Sequence, residues 1–182
     1  DGSVHLWNLK DLDNDPILLE GHQAPVNSVA FSRTEYRLAS AGDDQTVLLW
    51  DLKDLDNKPI ALEGHKGSVY SVVFNPKGDT LASAGADRTL RLWDLQNIAA
   101  DPVILKGQDG LIESLAFSPK GNMLASASYD RTILLHLAPT RILADIVCKK
   151  VWRNLSQEEW VEFVGDNDNI PYQETCLGLK HP

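Results

Sequence analysis

Tryptophan recurs at a constant interval of 43 residues, at Trp7, Trp50 and Trp93, and the next position in that series holds His136. The aspartates Asp1, Asp44, Asp87 and Asp130 keep the same interval. So do Ser40, Ser83 and Ser126, and the Gly-His or Gly-Gln pairs that begin at Gly21, Gly64 and Gly107. A fixed period of this length marks repeated supersecondary units, each too small to bury its own apolar face, that gain a core by stacking on neighbours. Function in such a chain is expected on the surfaces of the array and in whatever follows it.

Four short strands fit each copy. In the copy from Gly21 to Glu63 they are predicted near Val26–Phe31, Arg37–Ala41, Thr46–Asp51 and Pro59–Leu62, each apolar or β-branched and bounded by Gly, Pro, Asp or Asn. The first strand alternates, with Val26, Ser28 and Ala30 on one face and Asn27, Val29 and Phe31 on the other. Asn75-Pro76-Lys77-Gly78 and Ser118-Pro119-Lys120-Gly121 put proline and glycine where tight turns favour them.

Gly-His, Leu-Ala-Ser, Asp-x-Thr and Leu-Trp-Asp in this order and spacing resemble the WD-repeat family of β-propellers. The resemblance covers residues 1 to about 138 and implies an all-β fold: a partial propeller of about three and a half four-stranded antiparallel blades. It also implies a hydrogen-bonded tetrad in each blade, here His22, Ser40, Asp44 and Trp50, then His65, Ser83, Asp87 and Trp93. A serine, a histidine and an aspartate also invite comparison with a hydrolase triad. The repetition of the set beside a tryptophan, whose indole N–H needs a buried acceptor, favours a structural network, so the chain is expected to be non-catalytic. In the last copy Gln108 replaces the histidine and His136 the tryptophan, so that blade is either weaker or held by a substitute polar contact.

The expected organisation is a propeller fragment over residues 1–138, with a partial repeat over 1–20 and repeats over 21–63, 64–106 and 107–138, then a helical extension over 139–182 that packs on the last blade. The first 20 residues match Asp44–Glu63 at 14 positions and correspond to the last two strands of a blade. Closed propellers have about four to eight blades, so the ring is expected to be completed by repeats upstream or by self-association. Within the extension, Leu143, Ile146, Val147, Val151 and Leu155 keep helical spacing, and Ser156-Gln157-Glu158-Glu159 forms a capping-box pattern before a second short helix. The string CKKVWRNLSQEEWVEFVGDNDNIPYQETC is similar to a tail that follows propellers in large bacterial proteins, which often carry an NTPase, caspase-like, TIR or kinase module upstream.

Charge and composition narrow the partners. The net charge is −9, made up of −7 over residues 1–138 and −2 beyond, so no basic face is available for nucleic acid or an anionic membrane. No apolar run approaches the roughly 20 residues that span a bilayer, and no signal peptide opens the chain, so a cytoplasmic location is expected. Both cysteines, Cys148 and Cys176, lie beyond the repeats at a separation of 28, which is not a metal-site spacing; whether they pair is left open. Asp166-Asn167-Asp168-Asn169 resembles half a calcium loop without its later glycine and glutamate and reads as a solvated turn. No metal or other cofactor is expected.

The leading expectation is therefore an interaction or sensor platform for a protein or peptide partner, the regulatory end of a larger bacterial signalling protein. The alternative is the regulatory part of a multidomain enzyme whose catalytic domain lies upstream. In WD-repeat proteins partners usually meet the loops that join strand four to the next strand one, and strand two to strand three. Those positions here are Gln23, Lys66 and Asp109, and Asp43, Ala86 and Tyr129, whose chemistry differs from copy to copy while the tetrad positions recur.

Overall fold

A computed structural model describes residues 2–10 and 13–137, and the strands it places belong, but for the final residue of the last one, to a unit spanning Asp1–His136. The expected helices, Cys148 and Cys176 lie outside the described residues. Within each sheet the strands pair with their neighbours in chain order. The first sheet joins β1 (Ser3–Leu6) to β2 (Ile17–Glu20). The second runs through β3 (Val26–Phe31), β4 (Arg37–Gly42), β5 (Val47–Asp51) and β6 (Ile60–Leu62). One period later the third holds β7 (Val69–Phe74), β8 (Thr80–Gly85), β9 (Leu90–Asp94) and β10 (Val103–Leu105). The fourth holds β11 (Ile112–Phe117), β12 (Met123–Ser128) and β13 (Ile133–Leu137). The first sheet has two strands, as the match of residues 1–20 to the last two strands of a repeat leads one to expect, and the last sheet has three among the described residues, where four-stranded blades were expected.

The hairpins follow from local chemistry. Between β4 and β5 the chain reverses with Gln45 at φ 68°, and Arg88 and Arg131 repeat this at 61° and 71°. A left-handed conformation is unfavourable for a residue with a Cβ. It is held here by the preceding aspartate: Asp44 Oδ1 accepts from the Thr46 amide at 3.1 Å and from its hydroxyl at 2.8 Å. Asp87 with Thr89, and Asp130 with Thr132, make the same pair of bonds. That is the physical content of the Asp-x-Thr motif. In the β7–β8 turn Gly78 takes φ 78° and its N–H donates to the Asn75 carbonyl at 3.0 Å.

Each full sheet has a face of small residues and a face of large ones. The alanines Ala39 and Ala41, with Val47 and Leu49, pack on Val69, Val72, Phe74, Leu81 and Trp93 of the next sheet. One period on, Ala82, Ala84, Leu90 and Leu92 pack on Ile112, Leu115 and Leu124. The short first sheet sends Leu19 and Val4 against Leu38, Leu48 and Trp50. Small side chains on strand two let the sheets approach, and the larger ones opposite fill the gap. Leu38, Leu81 and Leu124 occupy equivalent places and are almost wholly buried, each contributing about 1.5–3 kcal/mol by leaving water.

The inner strands are stitched together by serine. β3 faces β7, and β7 faces β11. The Val72 N–H donates to Ser28 Oγ at 3.2 Å, and the Leu115 N–H donates to Ser71 Oγ at 3.1 Å. Each inner strand pairs within its own sheet along one edge only, so these hydroxyls satisfy backbone donors on an otherwise open edge.

Candidate functional site

His22, Ser40, Asp44 and Trp50 come from four different parts of the second sheet and meet in one hydrogen-bonded chain. Trp50 Nε1 donates to Ser40 Oγ at 2.9 Å, Ser40 Oγ lies 2.8 Å from His22 Nε2, and His22 Nδ1 lies 2.8 Å from Asp44 Oδ2. In the third sheet Trp93, Ser83, His65 and Asp87 repeat this at 2.9, 2.8 and 2.9 Å. The proton positions follow from valence. An indole nitrogen only donates, so the serine accepts from it and turns its single proton to the histidine Nε2, which leaves Nδ1–H to donate to the carboxylate.

Electrostatics agree with that assignment for the third sheet. Burial pushes the His65 pKa below its ordinary value, against the opposing pull of Asp87. Burial raises the pKa of Asp87, but hydrogen bonds from the Lys66 and Thr89 amides and from the Thr89 hydroxyl outweigh it and leave the carboxyl below its usual range. Asp44 behaves alike: burial raises it, and bonds from Gln23, Thr46 and His22 prevail and lower it. These serines are unsuited to nucleophilic attack. Ser40 and Ser83 have no solvent exposure, and each already accepts from an indole.

The fourth sheet solves the same problem with different residues. Ser126 Oγ donates to Gln108 Oε1 at 2.7 Å, so His136 Nε2, 3.0 Å away, must supply the proton on its side, as tryptophan does elsewhere. Gln108 Nε2 reaches Thr132 Oγ1 at 3.1 Å, while Asp130 receives the Asp109 and Gly110 amides. Of the two alternatives open from sequence, the substitute contact is the one present. The Thr132 hydroxyl first, burial opposing it, and then backbone bonds lower Asp130 to about 2. In the first sheet Trp7 has no strand-two serine beside β1 and is 50% exposed, where Trp50 and Trp93 are each 5%.

The aspartates also fix the loops. The amides of Gln23, Lys66 and Asp109 donate to Asp44, Asp87 and Asp130 at 2.8, 3.0 and 2.8 Å. The amides of Asp43, Ala86 and Tyr129 donate to the Pro25, Ser68 and Leu111 carbonyls at 2.9, 2.8 and 2.9 Å. These six positions therefore sit at the quartet end of their sheets with pinned backbones. Their side chains are exposed except that of Ala86, which is half-buried. Two are engaged locally: Gln23 Nε2 donates to the Gly21 carbonyl at 3.1 Å, and Asp43 Oδ1 accepts from Asn27 Nδ2 at 2.7 Å.

Two contributors escaped the reading of the sequence. Arg91 stands where the second sheet has Leu48 and is buried, with Nη2 donating to the Gly64 carbonyl at 2.6 Å and Nε left without a partner. Burial lowers its pKa against the pull of Asp87. A leucine-to-arginine change within a strand is visible in the repeat, but nothing in it says that the guanidinium turns inward. The serine stitches at Ser28 and Ser71 carry the 43-residue interval and could have been found from it. Among the described residues no three His, Cys, Asp or Glu side chains are grouped to hold a metal ion.

Comparison with known proteins places the repeats. The family described as WD domain, G-beta repeat matches residues 16–51, 57–94 and 102–136, together more than half of the chain. The Denticleless protein homolog of Danio rerio is 40% identical over 48 residues, covering 26% of this chain. The chain spans 7% of the length of that relative.

Proposed function

The chain belongs to the WD domain, G-beta repeat family, and on that premise we propose that it is a protein-interaction platform that grips a protein or peptide through Gln23, Asp43, Lys66, Ala86, Asp109 and Tyr129. WD repeats generally serve as scaffolds for protein contacts, so the class of function rests on the family; the choice of face rests on geometry. One observation carries it. The quartet carboxylates that lock each sheet also pin the backbone of the position beside the histidine or its glutamine replacement, while the side chain there changes from Gln to Lys to Asp. A uniform scaffold that presents varied, preorganised groups lowers the entropic cost of recognition. The −9 net charge supports a protein or peptide over nucleic acid or an anionic membrane.

The finer reading joins the platform to its tail. The resemblance of residues 148–176 to the tail of large bacterial propeller proteins supports a place at the regulatory end of a cytoplasmic signalling protein, or of a multidomain enzyme with a catalytic module upstream. Reading the gene upstream of residue 1 for a nucleotide-binding or protease motif separates these two.

The platform itself is tested by photo-crosslinking from position 66 or 129, followed by affinity measurement with the captured partner in purified form. Lys66→Glu is expected to weaken that complex at least tenfold with the melting temperature unchanged, and Lys77→Glu to leave it intact. Equal affinity for all three proteins would remove this face from the reading.

A further inference from the structure

The geometry points to an anion subsite at Arg91 that takes an aspartate or glutamate side chain of the protein or peptide held at the loop rim; it rests on the platform reading above. Arg91 lies on the Trp93 side of β9, which faces the second sheet, since Leu90 and Leu92 pack toward the fourth. It is 7% exposed and forms no ion pair among the described residues. Its Nη2 donates to the Gly64 carbonyl at 2.6 Å, Nε is sealed from water without a partner, and Nη1 is unpartnered but not sealed. Gly64 takes φ 127°, and a Cβ on it would lie 2.8 Å from Nη1, so bare backbone leaves the guanidinium uncovered on that side. The equivalent positions hold Leu48 and Leu134, so the repeat folds without a cation here.

The carboxylates of the chain itself are committed or out of reach. Asp87 attracts Arg91 through space, but its acceptor positions are taken. Oδ1 receives the Thr89 amide and hydroxyl at 3.0 and 2.8 Å, while Oδ2 receives the Lys66 amide at 3.0 Å and lies 2.9 Å from His65 Nδ1. Glu63 is exposed and makes no ion pair with Arg91, and its counterpart Glu20 precedes the repeat whose equivalent residue is Leu48, so this glutamate is not tied to the arginine. A buried guanidinium without a counter-charge is costly, and a carboxylate that matches its planar N–H groups removes that cost with short, charge-assisted bonds. The loop position two residues beyond Gly64 carries a second cation, the exposed Lys66. Where the strand residue is Leu48 or Leu134, the matching loop positions are Gln23 and Asp109, so the pair of cations is confined to the third sheet. A partner side chain that passes Lys66 and enters beside Gly64 meets both.

The probe is sodium acetate, exchanged for sodium chloride at constant ionic strength over the 182-residue chain. The Arg91 Nε–H resonance should shift saturably, and the melting temperature should rise. His65 gives a second readout: burial lowers its pKa and the Arg91 charge lowers it further, so a bound carboxylate should move its titration to higher pH. Arg91→Leu, which copies Leu48 and Leu134, should melt no lower than the unsubstituted chain in chloride and lose every response to acetate. It should also weaken the complex with the partner captured from position 66 or 129 by about tenfold or more. Glu63→Gln should leave the acetate response intact. The inference is overturned by an Arg91 resonance indifferent to acetate, by a response that persists in Arg91→Leu, or by a much lower melting temperature of that variant. It is equally overturned if Glu63→Gln displaces the Arg91 resonance without acetate, which would make Glu63 the counter-ion. If Arg91→Leu holds the captured partner at full affinity while Lys66→Glu does not, the subsite falls and the platform stands.

Discussion

At the scale of the residue, the repeated quartet converts four sequence positions into one buried network. Its cost of failure is high because every member leaves another unpaired. Trp93→Ala should lower unfolding stability by about 3–5 kcal/mol, from the lost aromatic burial and the lost indole donor to Ser83, as read by urea denaturation. An unchanged transition midpoint would separate Trp93 from the network. The pH dependence has a definite sign. His65 binds a proton less readily folded than unfolded, so its contribution is complete above 6.5 and declines as pH falls below that toward the folded value. Asp44 and Asp87 are lowered from 3.8, so theirs is present above 3.8 and is lost as pH falls through their folded values. Stability should therefore fall in two stages on acidification. His65→Gln, which copies the neutral solution at Gln108, should shallow the upper stage in denaturation curves taken between pH 7 and 5.

At the scale of the element, the β-turns test how strain is held. Arg88 is left-handed at φ 61° and kept there by Asp87 and Thr89. Arg88→Asn, which tolerates that conformation better, should raise stability by about 0.5–1 kcal/mol in thermal melts. Gly85, three residues earlier, is the opposite case. A Cβ there would run into the Ser68 carbonyl, so Gly85→Ala should lower the melting temperature, and an unaffected melt would mean that the β7 end yields easily. The fourth sheet carries Ser128 at this place, and its hydroxyl accepts the Asp130 amide at 3.2 Å. The same turn is thus closed by two different local solutions.

At the scale of the described unit, stability is graded along the stack. Leu90 and Leu92 are 1% and 4% exposed between sheets, while Ile133 and Leu135, one period later, are each 70% exposed. Elements with fewer buried contacts open at lower free energy. Amide exchange should therefore be faster in β13 than in β9, with β8 and β9 the slowest; equal protection of β9 and β13 would show that something covers the last sheet.

How much of this was legible in the sequence depended on whether a signal repeats. Strand positions recur every 43 residues, so periodicity exposed them, whereas the quartet members came from the resemblance to the WD-repeat family; the strand over Val26–Phe31 and its alternating faces are as the pattern reads. The substitute at Gln108 and His136 was open, because polar side chains of different length can meet a serine in several ways. The inward turn of Arg91 had no local signal at all, while the partial repeat over residues 1–20 already left Trp7 without a strand-two serine. The sequence by itself determined the repeat and the hairpins, since these follow from spacing and short-range chemistry, and its resemblance to the WD-repeat family implied which polar groups meet. Only the tertiary structure decided which copies are covered. Burial at Val29, Phe31 or Trp7 depends on whether a neighbouring hairpin stands beside them, and identical residues one period apart meet different surroundings.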